Sequence, residues 1–137
     1  MRIISYILLF LCVYTNKGMA QTEPDFQLST HILDISQGKP APGVAIILFR
    51  QDLQTKEFKQ IASATTDENG RIGNFLPDTT NNEGIYKLLF ETQPYFKQQN
   101  IPSIYPYIEV VFQLEGNGHY HIPITLSANG YSTYRGN

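Results

Sequence analysis

Three histidines and one arginine carry most of the chemistry this chain can offer. His31 lies within Leu28-Ser29-Thr30-His31-Ile32-Leu33-Asp34. A neutral imidazole in such a segment can act as a general base near neutral pH once a partner fixes its tautomer. A half-buried histidine bonded to backbone fits the same residues. His119-Tyr120-His121 is a second candidate, because residues i and i+2 of a strand point to the same face. Two imidazoles can then address one site. With His31 they also make up a three-histidine zinc set, although no acidic cluster supports it; two exposed histidines near a strand end are the plainer alternative. Arg71 directly follows Asn69-Gly70. A guanidinium leaving a tight turn can fork onto a planar carbonyl or an anion, and a merely exposed arginine is the alternative.

The last seven residues, Tyr131-Ser132-Thr133-Tyr134-Arg135-Gly136-Asn137, place two tyrosines, hydroxyls and an arginine where chain ends usually fray. No Gly-rich phosphate loop and no G-x-S-x-G elbow occurs. Asp67 and Glu68 sit in a turn, where a solvated surface accounts for them.

The elements that must position these side chains read as strands. Residues 26–35 alternate loosely and are rich in β-formers, residues 44–50 make a buried-looking strand, and residues 57–66 a weaker one. Asp67-Glu68-Asn69-Gly70 is a hairpin signal, since Asn-Gly accepts the positive φ a tight turn needs. Residues 71–76 and 84–91 follow as strands. The stretch 92–100 loses period-2 alternation and predicts a short helix beginning near Pro94. Residues 107–114 and 119–127 are strands joined by a Gly-Asn-Gly loop, and residues 131–135 close the chain. Pro123 cannot donate to a ladder, which predicts a bulge or an edge position. Seven or eight short strands at regular spacing with at most one short helix predict an all-β, two-sheet sandwich.

Composition narrows the classes of function. The chain has 137 residues, one domain's worth. Lys and Arg number 10 against 12 Asp and Glu, a net charge of -2, which excludes a basic nucleic-acid footprint and a polybasic membrane patch. Residues 1–20 form a separate unit: Arg2, a short apolar run over residues 3–14, then Gly18-Met19-Ala20 before Gln21. This reads as a cleaved secretory signal peptide, too short for a comfortable membrane span. Bulky Leu11 before Cys12 argues against a lipoprotein site. Residues 21–137 are then the working domain, exported to the periplasm or secreted, with no membrane association after cleavage. Removing Arg2, Lys17 and Cys12 leaves 8 basic and 12 acidic residues, a net charge of -4 and no cysteine. Thiol chemistry is thereby excluded from the mature domain.

Several segments together resemble one family. Leu28 to Asp34 with Gly38-Lys39-Pro40-Ala41 resembles the opening motif of 5-hydroxyisourate hydrolases, the transthyretin-related enzymes of urate breakdown. Asp67-Glu68-Asn69-Gly70-Arg71 resembles their D-x-x-G-R segment, and Tyr95-Phe96 through Asn100 their Y-F helix stretch. His119-Tyr120-His121-Ile122-Pro123, then Gly130-Tyr131-Ser132-Thr133-Tyr134-Arg135-Gly136, resembles their closing motif. The Tyr-Arg-Gly tail separates these hydrolases from true transthyretins.

The resemblance implies a transthyretin-like (prealbumin-like) sandwich that assembles as a homotetramer, a dimer of dimers, with sites in the channel between dimers. It implies hydrolytic opening of 5-hydroxyisourate to 2-oxo-4-hydroxy-4-carboxy-5-ureidoimidazoline, with no metal or organic cofactor. By the same resemblance His31, Arg71 and His121 are catalytic. His31, Arg71, Tyr134, Arg135, Gly136 and Asn137 contact substrate, and His119 flanks the site. Asn137 stands where the family has serine. A transthyretin-like carrier of a small ligand, without hydrolase activity, is the alternative.

Overall fold

The computed structural model describes residues 25–137; the signal-peptide reading of residues 1–20 lies outside them. The chain runs β1 (Phe26–Asp34), β2 (Lys39–Pro40), β3 (Ala45–Gln51), β4 (Phe58–Thr65), β5 (Arg71–Pro77), β6 (Gly84–Phe90), α1 (Thr92–Lys97), β7 (Ile108–Leu114), β8 (Tyr120–His121), β9 (Ile124–Ser127) and β10 (Gly130–Thr133). Two sheets face each other across an apolar core, as the alternation of short strands predicts.

One sheet is organised around β1. Strands β8 and β9 pair with it in parallel on one edge, β5 and β2 pair antiparallel on the other, and β10 extends the sheet beyond β9. The second sheet has the order β4-β3-β6-β7. Alternation decides what each strand gives to the core. In β1, Leu28, Thr30 and Ile32 point inward; Ile46 and Leu48 of β3 and Tyr86, Leu88 and Phe90 of β6 meet them from the other sheet.

Three local readings change. The predicted strand 119–127 is broken at Ile122-Pro123 into β8 and β9. Its register against β1 is unslipped, with Ser29 opposite His121 and Ile32 opposite Ile124, so the proline interrupts the ladder without shifting it. Lys39–Pro40, read as turn, pairs briefly with Leu33 and Asp34. The Asp67–Gly70 turn forms, but it is no hairpin: β4 belongs to the second sheet and β5 pairs with β1. The turn carries the chain from one sheet to the other.

The end of β1 is tied to α1 through a buried carboxylate. Asp34 is fully buried and accepts hydrogen bonds from Ser36 N at 2.9 Å, Gln37 Nε2 at 3.2 Å and the Tyr95 hydroxyl at 2.9 Å. Burial pushes this carboxyl up, but the bonds from Ser36, Tyr95 and Gln37 outweigh it and hold it below its ordinary value. Burial, and then the bond to Asp34, push the Tyr95 phenol up to about 12, so it remains a donor. Tyr95→Phe leaves one lone pair of a buried charge unpaired. It is expected to cost ~1.5–3 kcal/mol in urea unfolding.

Candidate active site

The pairing of β1 with its neighbours gathers the chemically capable side chains on one surface. Ser29 and His31 alternate with the core residues of β1 and project from the opposite face of the sheet. Arg71 lies directly across from His31 on β5, and His121 directly across from Ser29 on β8. Residues opposite one another in a sheet share a face. His31, Arg71 and His121, separated by 40 and 50 positions in the chain, are thus neighbours on an open sheet surface.

The turn before Arg71 is built to deliver it there. The Asp67 carboxylate accepts the backbone N–H groups of Asn69 and Arg71, each at 2.9 Å. Asp67 is therefore a structural anchor, where sequence suggested only solvated surface. Gly70 has φ +69°, and a Cβ there would lie 2.7 Å from the Ile32 carbonyl oxygen. Only glycine permits the turn to press this closely on β1. The reward of that approach is a ladder bond from Ile32 N to Gly70 O at 2.9 Å, which seats Arg71 opposite His31.

The two histidines are electrostatically poised as bases. Desolvation lowers the His31 pKa below its ordinary 6.5, and the Arg71 charge lowers it further; the Asn69 backbone and Asp67 oppose this. Desolvation also lowers His121, followed by the charges of Arg71, His31 and His119. A depressed histidine stays neutral to lower pH, so its capacity to accept a proton is full above 6.5 and is lost only as pH falls through the lowered value. The acid limb of any base-dependent activity here is expected to have its midpoint below 6.5, read from kcat/KM against pH.

His119 is held differently. Its Nδ1 meets the Phe26 carbonyl at 2.8 Å and its Nε2 meets Ser29 Oγ at 2.8 Å. Ser29 Oγ also meets His121 Nδ1 at 2.8 Å. Both nitrogens of His119 are committed to protein groups, so the three imidazoles do not converge as a zinc set. Among the described residues no group of three His, Cys, Asp or Glu side chains is arranged to hold a metal ion. Ser29 escaped notice in the sequence. The signal was available, since the alternation that unites His119 with His121 also unites Ser29 with His31.

The tail reaches the site at one residue. Gly136 N donates to the His121 carbonyl at 2.8 Å. A Cβ on Gly136 would stand 2.5 Å from His121 Cδ2, so the backbone lies against the imidazole edge. Tyr134 and Arg135 instead line a groove with Val111, Phe112 and Tyr120. The Arg135 guanidinium sits 4.3 Å from the centre of the Tyr120 ring. Tyr134 and Asn137 are exposed. Gly136→Ala is expected to push the His121 ring from its place and to lower kcat/KM by ~10- to 100-fold. Its unfolding midpoint should barely move, because the tail is at the surface.

Known proteins share this plan. Residues 28–136 match the HIUase/Transthyretin family. A probable 5-hydroxyisourate hydrolase of Caenorhabditis elegans is 47% identical over 114 residues, covering 82% of this chain and 83% of the relative. Among solved structures, the 5-hydroxyisourate hydrolase of Klebsiella pneumoniae superposes with a TM-score of 0.69 at 35% identity, over 80% of this chain and 98% of that one. The transthyretin of Sparus aurata superposes with a TM-score of 0.74 at 32% identity, over 80% and 95%. Backbone likeness therefore reaches a hydrolase and a transthyretin about equally.

Proposed function

The chain belongs to the HIUase/Transthyretin family, and within that family we propose that it acts as the hydrolase and not as a carrier. The observation that carries this reading is the placement of His31, Arg71 and His121 on one sheet face by strand register. An apolar-ligand carrier has no use for two depressed histidines beside a guanidinium. The substrate is 5-hydroxyisourate, and the product is 2-oxo-4-hydroxy-4-carboxy-5-ureidoimidazoline.

The reaction needs three things from the protein. A base must take a proton from water as its oxygen attacks the ring carbonyl, and His31 or His121 can do so while neutral. The carbonyl oxygen gains negative charge, which Arg71 is placed to stabilise. The leaving ring nitrogen must then receive a proton as its bond to carbon breaks, and the imidazolium just formed supplies it. These steps use protein side chains alone, so activity should survive a chelator.

The openness of the face supports assembly. A site on a bare sheet surface excludes little water, so a second copy laid over it would supply the missing wall. The β7 and β10 edges lie at the ends of their sheets and leave backbone groups unpaired within one copy. A homotetramer built by joining these edges, with paired dimers closing over the site, answers both features. Tyr134, Arg135 and Asn137 would be brought to substrate in that assembly. Light scattering on the eluted protein should give the mass of four copies.

The apolar run at residues 3–14, followed by Gly18-Met19-Ala20, supports export to the periplasm or beyond. The mass of the exported protein should begin at Gln21. Among the described residues no helix is long and apolar enough to cross a membrane.

The deciding experiment generates 5-hydroxyisourate from urate with uricase and follows its ultraviolet decay. The protein should accelerate the decay above the spontaneous rate. Unchanged decay would sink the hydrolase reading.

A further inference from the structure

The contacts around Ser29 fix where every proton in a chain of three side chains must sit. The Phe26 carbonyl can only accept, so Nδ1 of His119 carries the hydrogen in that 2.8 Å contact. A neutral imidazole has one N–H, so Nε2 of His119 is an acceptor and takes the single hydroxyl hydrogen of Ser29. Ser29 Oγ has then spent its hydrogen. It can only accept from His121, whose Nδ1 must be the protonated nitrogen in their 2.8 Å contact. The hydrogen bonds of the described residues leave Nε2 of His121 without a partner.

The backbone holds this arrangement rigidly. Ser29 and His121 are register partners, Ile122 N donates to the Ser29 carbonyl at 3.0 Å, and the Thr30 hydroxyl donates to the Ile122 carbonyl at 2.7 Å. Strand β8 is thus anchored to β1 immediately beside the imidazole.

We propose that Ser29 and His119 are positioning residues that hold His121 with its proton on Nδ1, which makes Nε2 of His121 the base for the attacking water. This deepens the hydrolase reading and rests on it. Imidazole free in water prefers the other tautomer, in which Nε2 is a donor and cannot take a proton. The Phe26–His119–Ser29 chain reverses that preference. Water then gives a proton to Nε2 as its oxygen bonds to the ring carbonyl carbon, whose π electrons move to the carbonyl oxygen. When that oxygen re-forms its double bond, the carbon–nitrogen bond breaks and Nε2–H returns the proton to the departing ring nitrogen.

The test reads the tautomer and the kinetics separately. With ring-¹⁵N histidine in the full protein, above the imidazole titration range, His121 should show the Nδ1–H form. Ser29→Ala should shift it toward the Nε2–H form and lower kcat by ~10-fold or more, with KM almost unchanged. Ser29→Thr keeps the hydroxyl and should restore both. His119→Ala should produce the same tautomer shift from an exposed position, which guards against a fold defect in the Ser29 variant. A wild-type His121 protonated on Nε2 would overturn the proposal. So would a tautomer that ignores both substitutions, or a Ser29→Ala defect confined to KM. The NMR reading needs no substrate, so failure of the hydrolase assay and failure of the relay are separate results.

Discussion

Arg71→Ala is expected to lower kcat/KM for 5-hydroxyisourate by ~10²- to 10³-fold, the loss seen when one preorganised oxyanion donor is removed. The expectation rests on placement. Arg71 sits directly opposite His31, held there by the Asp67 carboxylate and by a turn that only Gly70 permits. Its charge serves a second purpose, because it is the second cause, after desolvation, that lowers both histidines. Removing it should therefore also move the acid limb of the pH profile up toward 6.5, since each imidazole then holds its proton more readily. Arg71→Lys separates the two effects. A lysine keeps a positive charge in the neighbourhood, so the acid limb should stay low, but it lacks the planar fork, so much of the rate loss should remain. If Arg71→Ala shifts the limb without lowering the plateau, the guanidinium only tunes the bases and does not meet the substrate.

The same residues show what a sequence can reveal and what it cannot. The sandwich was legible because alternation is local: Leu28, Ile32, Ile46, Leu48, Tyr86 and Leu88 each sit where period two puts them. Of the residues that meet on this face, His31, Arg71 and His121 were legible as candidates by type, and Gly136 only through the family resemblance. Their geometry depends on partners far along the chain, and nothing in Asp67–Gly70 says whether the next strand folds back or crosses to the other sheet. Asn-Gly signals a turn from its own φ preferences, but the destination is set by which strand offers a free edge, here β1. Pro123 shows the same limit. Its missing N–H predicted a disturbance, but only the pairing of both β8 and β9 with β1 makes it a clean interruption and keeps His121 in register. Alternation puts Ser29 on the face of His31, but its role between two imidazoles depends on β8 pairing with β1, which no local pattern announces.

Fold alone does not choose between the two activities of this family. The sandwich superposes on a transthyretin at least as well as on a hydrolase. The choice between them must then be argued from side chains and not from the backbone. Under the proposed hydrolase reading, His31, Arg71, His121 and the hydroxyl of Ser29 are the groups on that face that would polarise a carbonyl and remove a proton. On that reading the difference is chemical and local, and the groups proposed to carry it lie on β1, β5 and β8.

His121→Ala should lower kcat by ~10²- to 10⁴-fold, the usual worth of a positioned general base, with a much smaller change in KM. The magnitude alone does not separate it from His31→Ala, which removes the other neutral imidazole on the same face. The decisive feature is coupling. Ser29 and His119 act on catalysis only through the His121 ring, so once that ring is gone they have nothing left to orient. Ser29→Ala placed in the His121→Ala background should add almost no further loss, whereas Ser29→Ala placed in the His31→Ala background should cost about as much as it does alone. Strong non-additivity with one histidine and near-additivity with the other is the signature of residues that work as a unit. The reverse pattern would assign the proton transfer to His31. His121 would then serve as a neutral ring that Ser29 and the Gly136 backbone hold in place for packing.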